Sequence, residues 1–247
     1  PDVNARGSSR YNLTSAVEAS LRRLRTDRID LYFLHGFDPD TALDETLRAL
    51  EDLVRDGKVV YTAVSNFAAW QTMKALGLQE RHGWSPLVCV QPMYNLLKRQ
   101  AEVEILPMAA AEGLAVTTYN PLAAGLLTGK YGRDRRPDTG RLTSNKMYQA
   151  RYGEDTYIDV AEAFVAFARE RGHSPAALAI AWVAAHPAVT APVLGARTLK
   201  QLEDCLGAAE VQMTTELRDA ISALSATPPP ATDRNEETGP HRAASCR

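Results

Sequence analysis

The chain has 247 residues, of which 45% are hydrophobic, enough for one core and about the size of a single α/β-barrel domain. Its 28 basic and 30 acidic residues give a formal net charge of −2, which argues against nucleic acid or an anionic membrane as a partner bound through bulk charge. Three widely spaced cysteines without a CxxC pair fit a reducing compartment. With no membrane-length apolar run and no signal-peptide pattern, we expect a soluble cytoplasmic protein.

The first half of the chain alternates between helical and strand patterns. A helix capped by Asn12 or Ser15 precedes an apolar strand at 29–35, whose composition predicts burial on both faces. Further strands are predicted at 59–64, 87–91 and 114–118, and helices from about 41 to Gly57, at about 68–81 and at about 100–112. This alternation is typical of an α/β protein with a parallel sheet.

The pattern breaks at 125–155, a stretch rich in Gly, Arg and Asp that is too long for an idle connection. Its basic part, 130–151, is either a lid over a ligand or a solvated mobile loop. Two helices are predicted at about 158–171 and 175–186, the second apolar nearly all round and therefore buried. A last strand at 189–194, a final helix at about 199–224 and a disordered tail at 227–247 complete the chain.

These patterns give five strands, whereas a closed (β/α)8 barrel needs eight. The chain begins at Pro1, just before a helix, so about three βα units would have to precede it. We therefore expect residues 1–226 to form a TIM (β/α)8 barrel that is N-terminally truncated, with about five of the eight βα units present. Such an open sheet would expose a strand edge.

Several familiar functional motifs are absent. No GxGxxG follows a strand, which excludes the Rossmann dinucleotide fingerprint. The run 124–130 resembles a phosphate-binding loop, but its glycines are too close together and Tyr131 stands where Ser or Thr should bind magnesium. The five histidines form neither HxH nor HExxH, so a metal-dependent hydrolase has little support and no metal site is expected.

Polar or aromatic residues follow each predicted strand. Taken singly, each has a structural explanation, such as a helix cap or a solvated arginine. The residues are His35, Ser65 with Asn66, Gln91, Tyr119 with Asn120, and Gly195 with Arg197. Because the carboxyl ends of parallel barrel strands meet at one mouth, these groups should share a site. Amides, an aromatic ring and a guanidinium suit a nicotinamide nucleotide, which has a carboxamide, an aromatic face and phosphates.

From about 13 to 224 the chain resembles an aldo-keto reductase. The segments that carry the resemblance are ASLRRLRTDRIDLYFLHGFDP, DLVRDGKVVYTAVSNF, VQPMYNLL, TTYNPLAAGLLTGKY and PVLGARTLKQLED. The resemblance implies an eight-stranded barrel that binds NADP(H) without a Rossmann fold. It also implies the reduction of aldehyde or ketone carbonyls, in small-molecule substrates, by hydride transfer.

The resemblance also assigns residue roles. His35 matches the histidine that orients the substrate carbonyl, and Tyr119 matches the residue that stacks on the nicotinamide ring. The positions that match carboxamide contacts are Ser65, Asn66 and Gln91. The positions that match the pyrophosphate segment are Asn120, Pro121, Leu122 and Lys130. The positions that align with adenosine and 2′-phosphate contacts are Gly195, Arg197, Gln201, Asp204 and Cys205.

The chain departs from the family pattern in two ways. Asp204-Cys205 replaces the usual Glu-Asn, and a thiol is a poor substitute for an amide in binding adenine. The family's tyrosine acid, with its Asp and Lys partners, lies on βα units that have no counterpart here. We therefore expect an NADP(H)-dependent carbonyl reductase whose activity is impaired in this chain. The alternative is a catalytically dead nicotinamide-nucleotide-binding or regulatory remnant. The sequence does not specify the carbonyl substrate or the oligomeric state.

Overall fold

A computed structural model shows how these patterns fold, and it describes residues 4–232. The chain divides into two compact units. The first contains the residues up to Pro92 together with Met108–Val116, and the second contains Met93–Pro107 together with the residues from Thr117 onward. Strand Ala115–Thr118 therefore contributes its first half to one unit and its second half to the other.

The first unit is built on parallel strands. They are β1 (Ile29–Leu34), β2 (Val59–Ser65), β3 (Leu87–Gln91) and the first two residues of β4 (Ala115–Thr118). Each strand pairs in parallel with the next along the chain. The register places Leu34 opposite Val64 and Ser65 opposite Gln91, so β1, β2 and β3 end side by side. All three strands lie within a residue of their predicted bounds.

One helix precedes β1, and a helix lies between each strand and the next, as the alternating pattern predicts. They are α1 (Arg10–Leu24), α2 (Leu43–Arg55), α3 (Ala69–His82) and α4 (Ile105–Ala111). In α2 the apolar positions Leu43, Leu47 and Leu50 are buried, as their helical spacing predicts. The start predicted for α1 is wrong, because Ser9 forms its N-cap and accepts a hydrogen bond from the Asn12 backbone N–H at 3.3 Å. Asn12 and Ser15 lie inside the helix.

Strand β1 is less buried than its apolar sequence predicts. Leu31 is 37% exposed, and Val60 and Tyr61 on the neighbouring strand are 39% and 55% exposed. Within the described part of the chain, β1 pairs only with β2. The prediction that this strand is buried on both faces is wrong, because an apolar run does not distinguish a central strand from an edge strand.

The second unit pairs the end of β4 in parallel with a short strand, β5 (Ala191–Pro192). Its helices are α5 (Arg141–Ser144), α6 (Lys146–Tyr152), α7 (Asp155–Glu170), α8 (Pro175–Ala184), α9 (Leu199–Leu206) and α10 (Thr215–Ser222). Strand β5 is shorter than the predicted 189–194. Pro192 has no N–H to contribute to a strand ladder, which limits the pairing.

Helix α8 forms the core of the second unit. Every residue from Ala176 to Val183 is buried, which confirms the prediction from its uniformly apolar sequence. A buried ionic group packs against it: Arg99 binds Glu102 through two hydrogen bonds of 3.0 and 2.9 Å and donates to the Ser222 carbonyl oxygen at 3.1 Å. Because Ser222 ends α10, these bonds attach the last described helix to the segment after β3.

Two long helices predicted from the sequence are interrupted. The segment predicted at 100–112 contains a 3₁₀ turn, Gln100–Glu102, before α4. Pro107 is tolerated only in the first turn of a helix, so α4 begins close to it. The segment predicted at 199–224 is divided by a 3₁₀ turn, Gly207–Glu210, and by the N-cap Thr214, whose hydroxyl accepts from the Leu217 backbone N–H at 3.2 Å.

The irregular stretch 125–155 contains the two short helices α5 and α6, preceded by a 3₁₀ segment at Ala123–Thr128. The five described strands, each paired in parallel with its neighbour along the chain, confirm an α/β architecture of the type found in TIM barrels. No helix among the described residues could cross a membrane. Most of the tail predicted at 227–247 lies outside the described residues, and 227–232 contains neither helix nor strand.

The carboxylate of Asp38 anchors the start of the described chain. It accepts hydrogen bonds from the Ser8 backbone N–H at 2.6 Å and the Thr41 hydroxyl at 2.7 Å, and these bonds lower the pKa of Asp38. The charged Asp38 carboxylate therefore stabilises the folded state at pH values above its unfolded-state pKa, which is about 4. This stabilisation is lost as the pH falls through the lower pKa of the folded state.

We expect Asp38→Asn to lower the midpoint of urea unfolding at pH 7 and to reduce the loss of stability at acid pH. Asp40→Asn, at an exposed neighbour, should change neither; an unaltered loss of stability at acid pH in Asp38→Asn would contradict this.

Candidate active and cofactor-binding site

In the first unit, four predicted site residues form one hydrogen-bonded chain at the strand ends. Asn66 Nδ2 donates to the His35 carbonyl oxygen at 2.8 Å and to Ser65 Oγ at 3.2 Å. Ser65 Oγ in turn donates to the Gln91 carbonyl oxygen at 2.9 Å. These bonds fix the ends of β1, β2 and β3 to one another, so the structure brings all four residues together.

The residues of this chain differ in exposure. His35 and Asn66 are exposed, Gln91 is half-buried and Ser65 is buried. Asn66 has a φ of +56°, a left-handed conformation that asparagine adopts more readily than most residues. The buried Ser65 hydroxyl therefore joins the strand ends, while the His35 imidazole and the Asn66 amide are exposed.

In the second unit, Tyr119 follows β4 directly. Its ring is half-buried, and this burial raises the pKa of Tyr119. The positive charge of Arg151 opposes this rise without cancelling it. Tyr119 forms a bridge with Met93, and its carbonyl oxygen accepts from the Tyr94 backbone N–H at 3.3 Å. A partly exposed aromatic ring on a fixed backbone is suited to stacking on a planar ligand.

The side chain of Asn120 is directed into the protein. Its Nδ2 donates to the Tyr152 hydroxyl at 2.6 Å, and its Oδ1 accepts from the Ala124 backbone N–H at 2.8 Å. Asn120 has a φ of +63°, and Ala123, Ala124 and Gly125 also have positive φ values. Such conformations cost about 1–3 kcal/mol per non-glycine residue. Asn120 therefore stabilises a strained loop; the structure shows its amide bound within the protein.

The rest of the predicted pyrophosphate segment continues this loop. Pro121 is buried and Leu122 is half-buried. The side chain of Lys130 passes over Gly125: a Cβ atom at position 125 would lie 2.5 Å from Lys130 Cε. Glycine at this position thus supplies both the positive φ and the space that the lysine needs.

The positive charges of two arginines act on Lys130. Burial lowers the pKa of Lys130 most, and the positive charges of Arg197 and Arg141 lower it further. A cluster of like charges in a partly buried environment is costly unless an anion is bound. This chemistry suits a phosphate. Arg141 was not predicted, although it belongs to the basic stretch 130–151 and that composition could have indicated it.

The start of α9 holds the remaining predicted contacts. The Arg197 backbone N–H donates to Gln201 Oε1 at 2.9 Å, and Thr198 caps the helix. Gly195 and Asp204 are exposed. Cys205 is only 3% exposed, and burial, assisted by the charge of Asp204, raises the pKa of its thiol. The structure therefore places Asp204 within reach of a ligand and Cys205 inside the unit.

The sequence profile of the aldo/keto reductase family matches residues 1–226. The chain belongs to this family. It is 41% identical to an uncharacterized oxidoreductase, YrpG, of Bacillus subtilis, over 86% of this chain and 63% of the relative. It is 36% identical to aflatoxin B1 aldehyde reductase member 2 of Mus musculus, over 81% and 58%. It is 33% identical to a probable voltage-gated potassium channel subunit beta of Arabidopsis thaliana, over 85% and 65%.

The chain spans about three fifths of the length of these curated relatives. Aldo-keto reductases generally use nicotinamide cofactors, and the family match confirms the resemblance seen in the sequence. Within residues 4–232, no group of three or more His, Cys, Asp or Glu side chains could hold a metal ion.

An aromatic cluster beside His35 was missed by sequence reasoning. Phe37 packs edge-on against Phe67 with ring centroids 5.4 Å apart, and Trp70 lies 6.1 Å from Phe37. Phe37 and His35 line one cavity of about 400 Å³, and Trp70 is 61% exposed. The sequence could have indicated this cluster, because Phe37 lies two residues after His35, and Phe67 and Trp70 lie one and four residues after Asn66. The cluster gives this aldo-keto reductase an apolar surface beside a polar strand end.

Because the Ser65 hydroxyl joins two strand ends, its removal should destabilise the first unit. We expect Ser65→Ala to lower the free energy of unfolding by about 1–3 kcal/mol, since the Gln91 carbonyl oxygen loses the bond from the buried hydroxyl and Asn66 Nδ2 loses an acceptor. Thr62→Val is the matched control: the buried Thr62 Oγ1 has no hydrogen-bond partner among the described residues, so this nearly isosteric change should be neutral or stabilising. Urea unfolding followed by circular dichroism measures both, and equal effects of the two variants would contradict the role of Ser65.

Proposed function

We propose that the chain is an NADP(H)-binding aldo-keto reductase that acts on an aldehyde or ketone. The observation that carries this proposal is the hydrogen-bonded chain through His35, Asn66, Ser65 and Gln91. These bonds fix the end of β1, which carries the His35 imidazole, to the ends of β2 and β3, which carry the amides of Asn66 and Gln91. When bound, the reduced nicotinamide supplies the hydride for carbonyl reduction.

The part of His35 in this function is to orient the substrate. Its exposed imidazole can donate a hydrogen bond to a carbonyl oxygen, and its backbone is fixed by the 2.8 Å bond from Asn66. The apolar surface formed by Phe37, Phe67 and Trp70 would exclude water from the neighbouring part of the substrate. We therefore propose an apolar carbonyl compound, consistent with the aldehyde reductase named among the relatives.

The residues of each unit fit a different part of the cofactor. In the first unit, Asn66 and Gln91 carry the amides that a carboxamide requires, and the buried Ser65 hydroxyl positions them through its bonds to the Asn66 amide and the Gln91 carbonyl oxygen. In the second unit, Tyr119 would stack on the nicotinamide ring. Lys130, Arg141 and Arg197 would bind phosphates, whose negative charge would offset the burial and the two neighbouring positive charges that lower the pKa of Lys130. Asp204 remains an adenosine contact in this proposal.

The proposed preference for NADPH rests on Arg197, whose guanidinium can pair with a 2′-phosphate. We expect Arg197→Ala to weaken NADPH binding by about 10- to 100-fold, the effect of losing a hydrogen bond to a charged group, and to weaken NADH binding by a smaller factor, because NADH has no 2′-phosphate. Quenching of tryptophan fluorescence during titration measures both. Arg171→Ala, which removes an arginine stacked on Phe167 at the end of α7, should alter neither affinity. Equal losses for NADPH and NADH would exclude 2′-phosphate recognition by Arg197.

We further propose that turnover by this chain is weak. The family reaction needs a tyrosine that protonates the substrate oxygen, and tyrosine must be shifted below its usual pKa near 10 to do so at neutral pH. Burial instead raises the pKa of Tyr32, Tyr94, Tyr119 and Tyr152. Tyr11 and Tyr61, like Tyr32 and Tyr94, do not match the sequence motif of the family's acid.

NADPH oxidation in the presence of an aromatic aldehyde tests this claim. We expect the rate for the 247-residue chain to be close to background, because none of the six tyrosines considered above is expected to protonate the substrate oxygen. His35→Ala and the control His82→Ala, which alters a histidine stacked on Trp84, should then be indistinguishable. A clear rate that His35→Ala abolishes and His82→Ala preserves would show that the chain is a working reductase.

The second candidate is a nicotinamide-nucleotide-binding module without turnover that regulates a partner. It is favoured by the similarity to a probable voltage-gated potassium channel subunit beta. Saturable NADPH binding without aldehyde reduction would support this function. A failure to bind NADPH or NADH would exclude both candidates for this chain.

A further inference from the structure

Tyr152 is the fully buried end of helix α6, with 1% exposure. Its hydroxyl accepts hydrogen bonds from Asn120 Nδ2 at 2.6 Å and Asn95 Nδ2 at 3.0 Å, and it donates to Met93 Sδ at 3.4 Å. Through this hydroxyl, α6 is bonded to two other segments: the chain after β3 and the loop after β4. None of the roles assigned above uses this residue.

These contacts surround the backbone of Tyr119. Met93 forms the bridge with Tyr119, and Asn95 Nδ2 donates also to the Asn120 carbonyl oxygen at 3.0 Å. The amide of Asn95 is itself fixed, because its Oδ1 accepts from the backbone N–H groups of Leu97 and Lys98, both at 3.0 Å. The Tyr152 hydroxyl therefore completes a hydrogen-bonded polar group around the backbone that carries the ring proposed to stack on nicotinamide.

Helix α6 has no other buried anchor. Tyr152 is its one buried residue, and Lys146, Met147, Gln149 and Ala150 are exposed. The helix nevertheless lies close to the proposed site, because the charge of Arg151 and the phenol of Tyr148 both influence the pKa of Tyr119, after the larger effect of burial. The attachment of α6 and the conformation of the loop thus depend on the same hydroxyl.

We propose that Tyr152 is a positioning residue for the nicotinamide end of the cofactor. By holding Asn120 in its left-handed conformation and α6 against the loop, it sets the orientation in which Tyr119 meets the ring. This inference rests on the proposed function, since it presumes that a nicotinamide nucleotide binds. Without the hydroxyl, Asn120 Nδ2 would lose its 2.6 Å acceptor, and the bond that Asn120 Oδ1 accepts from the Ala124 backbone N–H would hold the strained loop less firmly by itself.

The variant Tyr152→Phe keeps the ring, including its edge contact with Tyr157 at 6.1 Å, and removes only the hydroxyl. We expect it to weaken NADPH binding about tenfold, the effect of one lost buried hydrogen bond. Binding of 2′,5′-ADP, which carries no nicotinamide, should change less than about twofold. Isothermal titration calorimetry measures both ligands on the full chain, and the difference between them separates positioning of Tyr119 from general damage.

Two further variants complete the test. Tyr157→Phe removes the neighbouring hydroxyl, which accepts from Lys98 Nζ at 2.6 Å, and it should alter neither affinity. Asn95→Ala removes one donor to Tyr152 while leaving the tyrosine in place, and it should reproduce the selective loss of NADPH affinity to a smaller extent. This second variant decides the question if Tyr152→Phe fails to fold.

Equal losses for NADPH and 2′,5′-ADP, or no loss in either variant that folds, would overturn the role of Tyr152. Binding of the two ligands to the unaltered chain tests the proposed function itself. If it binds neither NADPH nor 2′,5′-ADP, the proposed function fails and this inference fails with it. If it binds both and the two affinities of Tyr152→Phe match those of the unaltered chain, only the inference is wrong.

Discussion

The parallel register between β2 and β3 is the constraint on which the first unit's site depends. It places Ser65 opposite Gln91, and only this pairing lets the Ser65 hydroxyl reach the Gln91 carbonyl while Asn66 reaches the His35 carbonyl. A slip of one residue would turn every side chain of a strand to the opposite face. No compact motif is needed to assemble the site, because alignment of the strand ends brings together residues that are far apart in sequence.

This constraint explains which features the sequence could predict. Apolar runs bounded by polar residues located β1, β2 and β3 to within a residue, and strand-end position alone grouped His35 with Ser65, Asn66 and Gln91. The same apolar content gave the wrong burial for β1, because composition reports what a strand can pack against and not whether a neighbour is present. Helix ends were missed where local bonds set them, as at Ser9 and Thr214.

The second unit was harder to predict because its important contacts cross an aperiodic stretch. The family resemblance assigned Asn120 to a ligand, yet both ends of its amide are bound within the protein, one of them to Tyr152. Nothing in the spacing of residues 125–155 indicates that this tyrosine is buried against Asn120. Cys205 was assigned in the same way, and its 3% exposure depends on how α9 packs, which no local pattern specifies.

Backbone strain and positive charge occur together in the loop of the second unit that is proposed to bind phosphate. The positive φ values from Ala123 to Gly125 keep the loop in an unfavourable conformation, and this conformation makes room for the Lys130 side chain to cross Gly125. There, burial together with Arg197 and Arg141 disfavours the charged lysine. A phosphate bound to this cluster would offset the repulsion, raise the pKa of Lys130 again and draw the three cations together. The internal bonds of Asn120 hold the loop in this conformation, so if the proposed phosphate binds here, the cost of ordering the loop is met during folding and does not reduce the affinity.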